Sequence, residues 1–177
     1  MGKATQDLRN EHDAILNVLT ILDRVLLKED THKDAILAFG NELVYFLRIF
    51  ADKCHHGKEE YFLFLEMVAN GLQNEGGPIG VMLQEHRQGR EFISSMDQSL
   101  QSQDLVGFKT SAASYRDLLR SHIDKENNVL FPMADNLLDE SAQAELFKQF
   151  ETHEETVIGH GVHEELHALI HRWDEQF

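Results

Sequence analysis

The stretch HHGKEEYFLF at residues 55–64 matches HIDKENNVLF at residues 122–131 at five positions, which are His, Lys, Glu, Leu and Phe. Each copy places a His and a Glu four residues apart, as in His55–Glu59 and His122–Glu126. On an α-helix, residues four apart lie on the same face, about one turn from each other. Each copy therefore predicts a helix that offers an imidazole and a carboxylate to one metal ion, and a carboxylate can bridge two metals.

Apolar residues recur at helical spacing on both sides of these copies. The pattern predicts long helices at about residues 5–27, 33–69, 78–100 and 104–132, followed by two shorter helices at about 141–152 and 162–176. Four long helices joined by short turns are typical of an all-α, up-down-up-down four-helix bundle. We interpret residues 1–177 as one domain, with the bundle at about 5–132 and a C-terminal helical cap at about 139–177.

The other two long helices each carry a histidine on their apolar stripe. His12 lies one turn from Leu8 and Ile15, and His86 lies one turn from Met82. A lone histidine on an apolar face is usually a satisfied core residue, and a single His-x-x-x-Glu is common on solvated helices. Six such residues facing inward on four helices are better explained by metal ions, because burying them unpaired would cost several kcal/mol. The candidate metal ligands are His12, His55, Glu59, His86, His122 and Glu126.

Charge and composition narrow the choice of partners and compartment. The formal net charge is −15, which argues against nucleic acid and anionic membrane as partners, because phosphate binding needs clustered Lys and Arg. No apolar run reaches the roughly 18 residues of a transmembrane helix, and the first ten residues are too polar for a signal peptide. With a single cysteine, Cys54, these features favour the cytoplasm. Acidity by itself indicates only a soluble protein.

The order of these motifs resembles the hemerythrin-like family, whose domain is known as the hemerythrin HHE cation-binding domain. The resemblance rests on CHHGKEE at 54–60, EHRQGR at 85–90, LFPM at 130–133 and GHGVHEELH at 159–167. It spans nearly the whole chain. It implies a four-helix bundle that holds two iron ions, bridged by two carboxylates and an oxo or hydroxo group.

One departure from that family leaves a ligand unassigned. Five-histidine sites of this kind take two histidines from the third helix, but Met82 and Arg90 stand one turn from His86. Either a coordination position stays open, or a group other than histidine fills it, or a histidine comes from elsewhere. The C-terminal helix is the nearest rich source of histidines, and we rank His163 first and His167 second as the missing ligand. The alternative, in which that helix only caps the bundle, agrees equally well with its periodicity.

Neighbouring residues are given lesser roles. His56 and Glu60 point about 100° away from His55 and Glu59 on an α-helix. They could support the metal ligands from outside, but the period favours a solvated or rim position. Tyr115 could hydrogen-bond a ligand or could simply pack in the core.

Mixed imidazole and carboxylate ligation suits Fe, Mn, Zn or Cu, and the resemblance favours iron. Because a histidine-rich site holds less negative charge than four carboxylates, it favours binding of O₂, peroxide or NO and slow redox change over strongly oxidising chemistry. The leading hypothesis is a di-iron protein that senses or handles oxygen and reactive oxygen or nitrogen species. Decomposition of peroxide, implied by some relatives, is a catalytic variant of it. The alternative is a non-catalytic metal-responsive or zinc-binding structural bundle.

Overall fold

The computed structural model describes all 177 residues, and the protein is a bundle of helices with no strand. The six helices are α1 (Lys3–Leu26), α2 (33–69), α3 (Pro78–Gln101), α4 (105–137), α5 (Glu140–Val157) and α6 (Val162–Gln176). A short 3-10 turn, Asp30–His32, connects α1 to α2. The prediction of an all-α fold is therefore confirmed. None of the helices is long and apolar enough to cross a membrane.

Local sequence signals mark where the helices begin. Pro78 occupies the first turn of α3, where its missing N–H costs nothing. The side chains of Asp104 and Asp139 accept hydrogen bonds from the backbone N–H groups of Gly107 and Ala142, and so cap α4 and α5. Gly161 precedes α6 with φ of 90°, a left-handed conformation that favours glycine.

Two helices change their hydrogen-bonding pattern partway along. In α2, the α-helical segment Lys33–Phe46 is followed by π-helical segments Leu47–His56 and Glu59–Leu63 and by α-helical Phe64–Ala69. In α4, a π-helical segment Glu126–Leu130 separates α-helical Leu105–Lys125 from Phe131–Leu137. The segments 59–63 and 126–130 begin at the glutamate of each sequence copy. The repeat of residues 55–64 at 122–131 is therefore present in the backbone conformation as well as in the sequence.

Two helices extend beyond their predicted ends. The expected end of α4 at Pro132 is wrong, since the helix continues to Leu137. Proline removes a backbone donor and crowds the preceding turn of a regular α-helix. Here that preceding turn is the π-helical one, where the regular ladder is already interrupted. The helix α5 also runs five residues past its predicted end at Thr152, to Val157.

Apolar side chains form two separate cores. The larger contains 29 buried residues and the smaller contains 13. Along α1, Leu8 belongs to the smaller core and Ile15 to the larger, with His12 between them. Along α3, Met82 and Ile93 flank His86 in the same way. The buried histidines thus lie in a band between two apolar cores.

The last helix completes the larger core. The indole of Trp173 is 0% exposed and packs edge-on against Phe39, with ring centroids 5.0 Å apart. Its Nε1–H donates to Glu42 Oε2 at 2.7 Å, so the one polar atom of the indole is satisfied. Together with Leu166 and Ile170, Trp173 makes α6 part of the folded core.

We expect Trp173→Ala to lower the free energy of unfolding by about 3–5 kcal/mol, because it leaves a large cavity in the core. Urea unfolding followed by circular dichroism measures the change. Leu65→Ala is the control, since Leu65 is 61% exposed on α2 and should lose no more than about 0.5 kcal/mol. Equal losses in the two variants would show that α6 is not part of the core.

Candidate metal centre

Four helices direct seven polar side chains into the band between the two cores. None of these side chains belongs to a residue more than 4% exposed. They form two groups in which the candidate ligand atoms lie within 4.8 Å of one another. One group is His12, His55, Glu59 and Glu126, and the other is His56, Glu59, His86 and His122. Two histidines mark the first group and three mark the second, and we name them the two-histidine and three-histidine positions.

The carboxylate of Glu59 stands between the two positions. Its Oε1 lies 3.3 Å from His55 Nε2, and its Oε2 lies 3.2 Å from His86 Nε2. One oxygen therefore faces each group of histidines. This is the geometry that a carboxylate needs to bridge a pair of cations.

Glu126 occupies the corresponding place on α4. Its Oε2 lies 3.1 Å from His12 Nε2, which belongs to the two-histidine position, and 3.3 Å from His122 Nε2, which belongs to the three-histidine position. Both carboxylates thus reach both positions. Because α2 and α4 carry the two sequence copies, each copy supplies one of the shared carboxylates.

A second ring of side chains fixes the orientation of the imidazoles. Four histidines donate from Nδ1 to an acceptor at 2.7–2.8 Å: His12 to Asn127 Oδ1, His55 to Glu11 Oε2, His86 to Glu60 Oε1 and His122 to Glu85 Oε2. His56 Nδ1 faces Asp52 Oδ1 at a longer 3.4 Å. Since these oxygens can only accept, the Nδ1 atoms carry the protons. With Nδ1 bonded outward, each of these four rings turns its Nε2 into the centre, where Nε2 can act as a ligand once any second proton has left.

When the rings are neutral, the Nε2 lone pairs that converge in the centre have no proton between them. His86 Nε2 and His122 Nε2 face each other at 3.1 Å, although both rings already donate from Nδ1. Two lone pairs repel at that distance unless a proton or a cation lies near both of them. The arrangement suits a cation at the three-histidine position.

Unsatisfied buried atoms provide the test of whether metal ions fit. The fully buried polar atoms without a hydrogen-bond partner include His12 Nε2, His55 Nε2 and both carboxylate oxygens of Glu59 and Glu126. Each buried polar atom left without a partner costs about 1–3 kcal/mol, and more when it is charged. Coordination to cations would remove that cost for all six atoms at once. The donor set of imidazole nitrogens and carboxylate oxygens is also one that iron, manganese and zinc accept.

Without a cation, protons must balance the site. Burial opposes a charge on His55, yet the carboxylates of Glu59 and Glu11 outweigh burial and raise the pKa of His55 to about 10. Burial and Glu59 oppose the ionised form of Glu126, but the facing imidazoles outweigh both and lower its pKa to about 2. Burial and neighbouring imidazoles hold the pKa of His56 well below its usual 6.5. Metal binding would displace protons from histidines such as His55.

The expected rim position of His56 is wrong, because the residue is buried and lies beside the ring of His86, with centroids 3.9 Å apart. Adjacent residues of an α-helix point about 100° apart. The π-helical segment Leu47–His56 has the wider i→i+5 hydrogen bonding, which turns His55 and His56 toward the same interior. In the second sequence copy the matching position is Ile123, an apolar core residue. Only the first copy therefore supplies two histidines.

The two C-terminal histidines that were ranked as the missing ligand lie outside both groups. His163 is close to Glu154 of α5, with Nε2 3.7 Å from Oε1, and its side chain is 42% exposed. The ring of His167 packs on that of His163, with centroids 4.5 Å apart. The structure therefore brings six of the eight candidates together, adds His56 and separates His163 and His167 from them.

The outer carboxylates follow a pattern that the sequence analysis missed. Glu11 precedes His12, and Glu85 precedes His86, so each Glu-His pair provides one candidate ligand and one acceptor for a histidine on the next helix. The recurrence of this dipeptide on α1 and α3 is the signal that could have identified both acceptors.

Tyr115 is buried, and its hydroxyl has no hydrogen-bond partner. Its ring lies near Gly89, where an added Cβ would be 3.6 Å from Tyr115 Cε2. The free thiol of Cys54 is also buried, which raises its pKa and keeps it protonated. Neither residue belongs to the two groups of candidate ligands.

Comparison with known proteins gives one match. The sequence model described as "Hemerythrin HHE cation binding domain" matches residues 3–134. The searches of curated proteins and of solved structures found no match. The matched range covers most of the chain and includes all seven side chains of the two groups.

We predict that His56→Ala lowers the amount of iron bound per chain, because it removes one of three imidazoles from the three-histidine position. His163→Ala and His167→Ala should bind as much iron as the parent protein. Elemental analysis of protein reconstituted anaerobically with Fe(II) distinguishes these outcomes. If His163→Ala or His167→Ala lost iron while His56→Ala lost none, the fifth histidine ligand would have to be in the C-terminal helix.

Proposed function

The chain belongs to the hemerythrin HHE cation-binding domain family, and from this premise we propose that it is a non-heme di-iron protein. We infer that it binds or reacts with O₂ or with reactive oxygen or nitrogen species. One observation carries the proposal: six buried ligand atoms have no hydrogen-bond partner. They are the Nε2 atoms of two histidines and the four oxygens of Glu59 and Glu126, the carboxylates that lie between the two positions.

In this proposal His56, His86 and His122 would hold one iron, and His12 and His55 would hold the other. Glu59 and Glu126 would bridge the two. When bound, such an iron pair supplies one-electron exchange and affinity for small oxygen- and nitrogen-containing molecules. The protein would hold the imidazoles with Nε2 inward, balance the charge and exclude bulk water. The iron at the position with fewer histidines would have one imidazole ligand fewer and so could take a small molecule in its place.

Helix pairings support the finer topology that we propose, an up-down-up-down four-helix bundle in a single domain. On α1 and α2, Asp7 bonds Lys58 and Glu11 bonds His55, so the residue numbers run in opposite directions. Other neighbouring pairs follow the same rule, since Arg9 pairs with Asp135 and Asp23 with Arg116, while Glu60 pairs with His86 and Arg48 with Asp97. Ion pairs also join α5 and α6 to α2, through Glu154 with Lys58 and Arg172 with Glu42, so we assign both helices to this domain.

Zinc is the less suitable metal for this site. Structural zinc sites are almost always four-coordinate and closed. Glu59 belongs to both groups, and Glu126 Oε2 lies 3.3 Å from His122 Nε2 as well as facing His12. Seven ligand residues exceed what a single tetrahedral ion uses, and they suit a pair of ions with higher coordination numbers. We also propose a cytoplasmic location, since the single cysteine is a free thiol.

Anaerobic titration with Fe(II), followed by O₂ or peroxide, tests the function. We expect two irons per chain, one for each group, and a charge-transfer spectrum that appears on oxidation and disappears with dithionite. Oxygen released from peroxide would identify a catalytic protein, and binding without release would identify a carrier or sensor. Glu59→Ala should bind fewer than two irons.

Glu66→Ala is the control for that variant, because Glu66 lies on the same helix and its side chain bonds only Asn70. Parent protein that takes up zinc but no iron, or a Glu59→Ala variant that keeps two irons, would contradict the proposal.

A further inference from the structure

The helix α5 lies directly on the π-helical part of α2, outside the range that matches the family. His153 of α5 lies 2.9 Å from the backbone oxygen of Lys53 through its Nε2. A Cβ added to Gly57 would come within 2.6 Å of that same Nε2, so only glycine gives α5 this room without a shift of the ring. The contact places α5 over the segment that carries His55, His56 and Glu59.

Next to Gly57, Lys58 is a buried ammonium whose three protons are all used. Its side chain is 1% exposed, and Nζ donates to Asp7 Oδ2 at 3.1 Å, to Glu11 Oε1 at 2.5 Å and to Glu154 Oε2 at 3.0 Å. The first two acceptors are on α1, and Glu154 is on α5. The aromatic ring of Phe150, also on α5, lies 5.7 Å from Nζ and closes that side of the cluster.

Glu11 connects this cluster to the metal centre. While its Oε1 accepts from Lys58, its Oε2 accepts from His55 Nδ1 at 2.7 Å. A continuous series of charged hydrogen bonds therefore runs from Glu154 through Lys58 and Glu11 to His55. It ends on a histidine of the two-histidine position.

We propose that Glu154 is a positioning residue for the two-histidine half of the metal centre. The inference rests on the proposed di-iron function, and it gives α5 a role in that function. Glu154 acts by sharing the charge of Lys58, so that Glu11 remains a strong acceptor for His55 and the ring stays oriented and basic. Outer partners of metal-bound histidines have this effect on ligand strength in general.

The second sequence copy lacks this contribution and provides an internal comparison. There Lys125 bonds Glu85 Oε1, and Glu85 Oε2 accepts from His122 Nδ1 at 2.8 Å. The same series of lysine, glutamate and histidine is present. The side chain of Lys125 is 38% exposed, however, and no carboxylate of α5 bonds it as Glu154 bonds Lys58. Removing Glu154 should therefore alter the two-histidine position and leave the three-histidine position unchanged.

The physical consequence of removing the carboxylate follows from burial. In Glu154→Gln, Lys58 remains charged and buried, and its ammonium is attracted more strongly to the two remaining carboxylates. Glu11 then accepts less strongly from His55. The ring becomes a weaker and less well oriented ligand, so the iron at that position is bound less tightly.

The test compares Glu154→Gln with Glu155→Gln in the full chain. Glu155 is the next residue of α5, is exposed and takes part in no ion pair, so the control removes the same charge from the same helix. Stepwise Fe(II) affinities are measured anaerobically, and Mössbauer spectra are recorded after oxidation. We expect Glu154→Gln to lower the affinity for one iron by about tenfold, the lower end of the range for outer partners of metal ligands.

The spectrum of that iron should shift, the spectrum of the other should remain, and Glu155→Gln should match the parent protein. Glu154→Asp, which retains a carboxylate, should restore part of the affinity. In a Lys58→Met background, Glu154→Gln should have no added effect.

Three results would overturn the inference. Glu154→Gln could have the same iron affinities as Glu155→Gln, or it could lower the affinity for both irons alike. It could also have its full effect on affinity in the Lys58→Met background. Parent protein that binds two irons in any of these cases leaves the proposed function intact and removes only the role of Glu154. Parent protein that binds no iron would overturn both the proposed function and this inference.

Discussion

Five imidazoles and two carboxylates meet in the middle of the bundle, where water cannot reach them, and cations are the simplest means of stabilising them together. Six of their polar atoms have no hydrogen-bond partner. Two imidazole nitrogens, on His86 and His122, face each other at hydrogen-bond distance although both rings donate elsewhere. Leaving such a cluster uncompensated would consume much of the 5–15 kcal/mol or so by which a domain is stable. The fold is therefore expected to depend on what binds there.

The surrounding structure explains how the cluster stays in place. Apolar cores on both sides separate it from solvent along the bundle axis. Acceptors from neighbouring helices hold the Nδ1 atoms of His12, His55, His86 and His122, so four of the five rings are fixed by a helix other than their own. Among these acceptors, Glu11 and Glu85 are themselves bound by Lys58 and Lys125. The candidate ligands are thus oriented before any metal arrives, which reduces the entropy lost on binding.

The regular α-helical period correctly predicts which side chains face the interior where the chain forms an α-helix, and it fails where the chain forms a π-helix. It directs His12, His86 and both His-x-x-x-Glu pairs inward, and the structure brings those six residues together. It directs His56 outward, because an α-helix was assumed where the chain forms a π-helix. With only His86 on the third helix, the sequence analysis places the missing histidine in the C-terminal helix, but there His163 faces Glu154 of α5 and packs against His167. The acceptor roles of Glu11 and Glu85 arise between helices, so the period of one helix cannot reveal them.

Anomalous diffraction at the iron absorption edge, from crystals of protein loaded with Fe(II), tests the central claim most directly. The account predicts two peaks, one among the Nε2 atoms of His56, His86 and His122 and one beside those of His12 and His55. Glu59 and Glu126 should contact both peaks. A single peak, or a peak coordinated by His163 or His167 in place of His56, would contradict the assignment.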